Sequence, residues 1–153
     1  MRTLVRTAAI VAALASVAFA SPALGQRWRG SGGWGPGGAY NRLYDTTKIV
    51  TVEGTVTAVH RITPRRGMRP GVHLTLKTAT GKVDVHLGPA WFIDNQDLKL
   101  VTGDTLTVTG SRIVFQGKPA IIAARVQKGD EVLVLRDDTG RPVWAGWRAR
   151  PAG

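Results

Sequence analysis

From Ile49 onward the chain alternates β-branched residues with threonine and other polar residues, and glycine-containing pairs such as Thr-Gly interrupt the pattern at short intervals. Alternation at period two marks half-buried strands, and this punctuation marks the turns between short antiparallel ones. The pattern predicts strands over 48–60, 72–78, 82–87, 105–115 and 119–127. A final hairpin of 131–136 and 141–144 closes around Asp137-Asp138-Thr139-Gly140, a tight-turn sequence. The one helix candidate is the connection 89–101, opened by Pro89, a residue tolerated in the first helical turn. The fold class is therefore all-β.

The order of these parts narrows the architecture. A long first strand, a hairpin, a connection holding the only helix, and two further strands follow the order of an OB-fold. The expectation is a small OB-fold-like antiparallel β-barrel over 44–147, with one short helix after the third strand and a C-terminal β-hairpin. Gly54 and the three-residue step from Val56 to Val59 break strict alternation, as a bulge at a barrel corner does.

The ends read differently. Arg2 and Arg6 precede an apolar run from Ala8 to Ala20, too short to span a bilayer comfortably, and Ala23-Leu24-Gly25 offers small residues at a cleavage site. Residues 1–25 read as a signal peptide, which makes the protein periplasmic or secreted, with no transmembrane segment once the signal is removed. Residues 26–43, rich in glycine and carrying Trp28 and Trp34, read as a flexible linker, and 148–153 as a disordered tail. The chain has no cysteine, which excludes disulfides, thiolate metal sites, a cysteine nucleophile and c-type haem attachment.

The net charge is +11. Such a balance favours anionic partners: an anionic envelope component or an acidic protein. Nucleic acid is disfavoured, because 72–78 and 82–87 carry no aromatic residue on which bases would stack.

Several segments together resemble a known group. They are Val52-Glu53-Gly54-x-Val56, Val85-His86-Leu87-Gly88-Pro89-x-Trp91, Gly103-Asp104, Gly110-Ser111, and Leu135-Arg136-Asp137-x-x-Gly140-x-Pro142-x-Trp144. From Tyr44 to Trp147, about two thirds of the chain, they resemble small periplasmic OB-fold proteins. The likeness is greatest to the C-terminal domain shared by the magnetosome proteins MamS and MamX. The resemblance implies a fold, a compartment and a loose link to metal handling. Some members carry c-type haem motifs and take part in iron redox; without cysteine, that function does not transfer to this chain.

Three sets of residues are site candidates. The first is the acid-free loop 61–69, whose Arg61, Arg65, Arg66 and Arg69 offer guanidinium forks to phosphate or carboxylate. Trp91 is a second ligand-binding candidate, at the mouth of the barrel. The third is the histidines. With Val72, Leu74 and Leu76 facing the core, and Val83, Val85 and Leu87 likewise, His73 and His86 share the outward face. A two-residue turn at Thr80-Gly81 sets them diagonal, and a four-residue loop from Thr78 to Gly81 sets them directly opposite. His60 approaches from the neighbouring strand, so His73, His86 and His60 are the metal-ligand candidates.

No phosphate loop, zinc-protease motif or supported Ser-His-Asp set is present, so no catalytic residue is assigned. The favoured reading is an exported, non-enzymatic OB-fold binding or accessory module of the cell envelope that recognises an anionic partner and requires no cofactor. The alternative is a periplasmic protein handling a transition-metal ion (iron, copper or zinc) through histidines. The second alternative is a nucleic-acid-binding OB protein.

Overall fold

The structure, a computed structural model, describes residues 31–146. The expected signal peptide and tail, with Trp28 and Trp147, lie outside the described residues. The elements are β1 (Ile49–Ile62), β2 (Gly71–Thr78), β3 (Gly81–Pro89), α1 (Ala90–Ile93), β4 (Thr105–Phe115), β5 (Lys118–Lys128) and β6 (Glu131–Val134). Short 3₁₀ turns lie at Asn41–Leu43 and Val143–Gly146.

All neighbouring strands pair antiparallel in the order β3-β2-β1-β4-β5-β6. One parallel contact, Asp84–His86 against Ala120–Ile122, joins β3 to β5 and brings β1 to β5 into a barrel-like ring. With α1 between β3 and β4, this is the expected OB-like arrangement. The interior is filled by Val56, Leu74, Leu76, Val85, Leu87, Leu106, Val108, Ile121 and Val126, each from the apolar phase of its strand. Phe92 and Ile93 of α1 are buried at one end of the ring.

The bulge falls where the Val56-to-Val59 step places it. Val56 pairs with Leu76 and Ala58 with Thr75, so Thr57 is the extra residue. Gly54, just before it, lets β2 come close: a Cβ here would lie 2.7 Å from the Lys77 carbonyl oxygen.

The short helix expected after the third strand is Ala90–Ile93, at the start of the 89–101 connection. Two expectations are corrected. The C-terminal hairpin is reduced to a single bridge, Arg136 to Pro142. Pro142 has no N–H to extend a ladder, and Trp144 beyond it turns into the core instead. The larger correction concerns the linker. From Ser31 onward it is an ordered arm, with Trp34 and Tyr40 each 1% exposed. Trp34 Nε1–H donates to the Arg69 carbonyl at 2.9 Å, and its own carbonyl accepts from Trp144 Nε1–H at 2.8 Å. Glycine freedom serves this packing: Gly32 and Gly33 adopt φ of 62° and 87°, which turns the arm over the β1–β2 loop.

Candidate functional site

The three histidines form a row across three strands. His60 pairs with His73, and His73 with His86. Directly opposed residues of an antiparallel pair point to the same face, so the row lies on one side of the sheet. The β2–β3 register matches the directly opposed arrangement, but Thr78 pairs with Gly81, so the ladder closes around Ala79-Thr80 alone.

Two of these side chains are not on an open surface. His73 is 3% and His86 2% exposed, which corrects the expectation of a solvated outward face. The N-terminal arm and the end of β4 cover them. The Tyr40 hydroxyl is hydrogen-bonded to His86 Nδ1 at 2.7 Å, and Phe115 meets the His86 ring edge-on at 4.8 Å. Gly71, two residues before His73, lies against the Trp34 ring. The His73 and His86 rings stack 3.6 Å apart, 13° from parallel.

This burial keeps both rings neutral. Desolvation, followed by the nearby His86 and His60, pushes His73 down to about 3. Desolvation pushes His86 down to about 4, with the Asp84 carboxylate partly opposing it. His73 Nε2 is buried without a hydrogen-bond partner. His60 remains exposed and lies 3.5 Å from the Thr75 hydroxyl, which donates to Asp84 at 3.0 Å.

The metal candidates therefore sit together without assembling a chelate. A metal ion lies near the plane of each imidazole that binds it, and two rings stacked face to face do not share such a position. Among the described residues, no group of three or more His, Cys, Asp or Glu side chains is placed to hold a metal ion.

The arginine candidates divide. Arg61 forms a two-pronged ion pair with Asp94 just after α1, at 2.6 and 2.9 Å. Arg65, Arg66 and Arg69 are exposed. The loop carrying them is fixed at its base: Arg69 N–H donates to Gly32 at 2.8 Å and Met68 N–H to Arg65 at 3.1 Å. Trp91 is half-buried on α1, its ring edge-on to Phe92 at 6.3 Å.

Sequence reasoning missed a second polar centre. Arg136 is buried against Asn41, Tyr44, Gly140 and Trp144, all drawn from the arm or the C-terminal turn. Its signal was the spacing Leu135-Arg136-Asp137-x-x-Gly140-x-Pro142-x-Trp144, which reads equally well as a plain hairpin.

The family model of the MamS/MamX magnetosome proteins matches residues 48–133, more than half of the chain. The chain belongs to the MamS/MamX magnetosome protein family. No curated protein matches it. The MamS/MamX segment runs from the start of β1 into β6, so it contains the ring, all three histidines and the arginine loop. The arm bearing Trp34 and Tyr40, and the turn bearing Arg136 and Trp144, lie on either side of that segment.

Proposed function

We propose that this MamS/MamX-family chain is an exported, non-enzymatic accessory module, periplasmic or secreted, that docks through its β1–β2 loop on an anionic envelope component. The observation that carries this is the state of the four loop arginines. Asp94 neutralises Arg61 alone, while Arg65, Arg66 and Arg69 project from a loop whose base the arm holds in place. Cations held in position lose less freedom on binding than mobile ones.

Two further features support the reading over its rivals. OB domains that hold nucleic acid use the strand 2–3 face, and here Tyr40 and Phe115 cover that face. A transition metal would need the His73 and His86 rings to rotate out of their stack.

The test compares two triple variants on phosphatidylglycerol vesicles. Arg65→Ser/Arg66→Ser/Arg69→Ser removes the loop cations. Lys77→Ser/Lys82→Ser/Arg125→Ser removes three exposed cations elsewhere and serves as the charge-matched control. The expected result is at least a tenfold loss of vesicle binding, with a flatter salt dependence, in the loop variant only. Equal losses in both would reduce the effect to net charge and overturn the proposal.

A further inference from the structure

One cation of this molecule is buried without an anion. Arg136 follows β6, is 4% exposed, and forms no ion pair among the described residues. Its Nη1 donates to the Gly140 carbonyl at 2.9 Å and to Asn41 Oδ1. The guanidinium lies 4.9 Å from the Tyr44 ring centroid and 5.5 Å from that of Trp144. Its Nε–H is buried and meets no acceptor. Burial lowers its pKa to about 10, which leaves it charged at neutral pH. Buried charges are normally paired, because desolvation is costly. Here carbonyls and aromatic rings surround the charge and none cancels it.

Three of the groups touching Arg136, the buried Asn41 and Gly140 and the partly exposed Tyr44, also line a shallow open cleft of about 330 Å³, completed by Pro36, Thr139 and Arg141. Arg141 is exposed on this cleft, and its guanidinium makes no ion pair or hydrogen bond among the described residues. The Tyr44 hydroxyl is likewise without a hydrogen bond there. Of the two acids in the turn, Asp137 turns Oδ1 into its own loop, where it accepts from Thr139 N–H, Thr139 Oγ1 and Arg141 N–H, while its charge still acts on both Arg141 and Tyr44. Asp138 is exposed.

We propose that this cleft binds a small oxyanion, a phosphate or carboxylate group. Arg141 supplies a guanidinium fork, Tyr44 a hydroxyl donor, and Arg136 a fixed positive field from behind the cleft wall. None of these residues belongs to the β1–β2 loop, so this site and the proposed docking loop can fail independently.

Binding is read on the full chain from the amide resonances of Thr139, Gly140 and Arg141. Inorganic phosphate and acetate are titrated at constant ionic strength against chloride. The expected result is a saturable shift with one or both oxyanions. It weakens at least tenfold in Arg141→Ser and severalfold in Tyr44→Phe, and is unchanged in Arg65→Ser/Arg66→Ser. Both site variants alter groups on an open cleft and keep the Arg136 contacts with Gly140 and Asn41, so loss of fold does not confuse the result. Shifts equal to those in chloride, or saturation unaffected by Arg141→Ser, overturn the proposal. Where phosphate saturates, phosphatidylglycerol vesicles separate its sources: loss of vesicle binding in Arg141→Ser assigns a lipid headgroup, and unchanged vesicle binding a free anion.

Discussion

The β1–β2 loop and the wrap formed by the two flanking segments both present arginine, in opposite environments. In the loop, Arg65, Arg66 and Arg69 are exposed and pair with no acid among the described residues. In the wrap, Arg136 is enclosed by Tyr44, Trp144 and two oxygen acceptors. Exposed charges contribute little to stability and are free to meet a partner. A buried guanidinium instead orders the groups around it, through cation–π contact and charge-assisted hydrogen bonds. The same residue type thus serves recognition in one region and cohesion in the other.

The sharpest way to break this contrast is Trp144→Ala. The ring is buried against Phe92, Trp34 and Arg136, and its removal is expected to cost about 3–5 kcal/mol in urea denaturation. Stability unchanged within about 1 kcal/mol would mean that the wrap is ornamental to the ring.

A smaller effect is expected from mild acid. His73 and His86 are depressed in the folded state, from 6.5 to about 3 and about 4, so the unfolded chain takes up protons first as pH falls. Their share of stability is complete above pH 6.5 and is lost as pH drops toward 4. A tenfold difference in proton affinity is worth about 1.36 kcal/mol, so the two rings together lose roughly 2–3 kcal/mol by pH 5.5. Urea midpoints at pH 7 and 5.5 measure it, and the difference should shrink in His73→Leu. Equal midpoints at the two pH values would show that the histidines are not enclosed beneath the arm.

The smallest effect belongs to the loop side. Arg61→Ser removes the ion pair with the exposed Asp94, and the denaturation midpoint should stay within experimental error. A clear drop would make Arg61 a member of the cohesive set.

The ring was legible because each of its strands buries one face. Period-two alternation placed β1 to β5 within a residue or two of their observed ends, and the spacing of Val56 and Val59 located the bulge. It also set His73 opposite His86, one of the two registers that the pattern allowed. The same rule then misjudged their surroundings, because it assigns one face to the core and the other to water. Near His73 both faces are buried: Leu74 faces the interior, and Trp34 and Tyr40 cover the outside. Those two aromatics lie in a glycine-rich stretch with no period of its own. What orders them is the groove at Gly71 and the contact with Phe115, which exist only once distant strands have met. Arg136 was hidden for a related reason, since its partners Asn41 and Trp144 come from opposite ends of the domain.

The bond from Trp144 Nε1 to the Trp34 carbonyl spans 110 positions in sequence, and it sets an order of events. A ribosome releases residue 34 long before residue 144. Until the later tryptophan emerges, the earlier one lacks both its hydrogen-bond donor and the indole beside it. The ring can close in that interval from its own strands, whereas contacts between remote positions wait on a costlier chain closure. A chain ending after β6 should therefore hold the arm over the His73–His86 stack less firmly, and the C-terminal turn is the last piece of that cover to arrive.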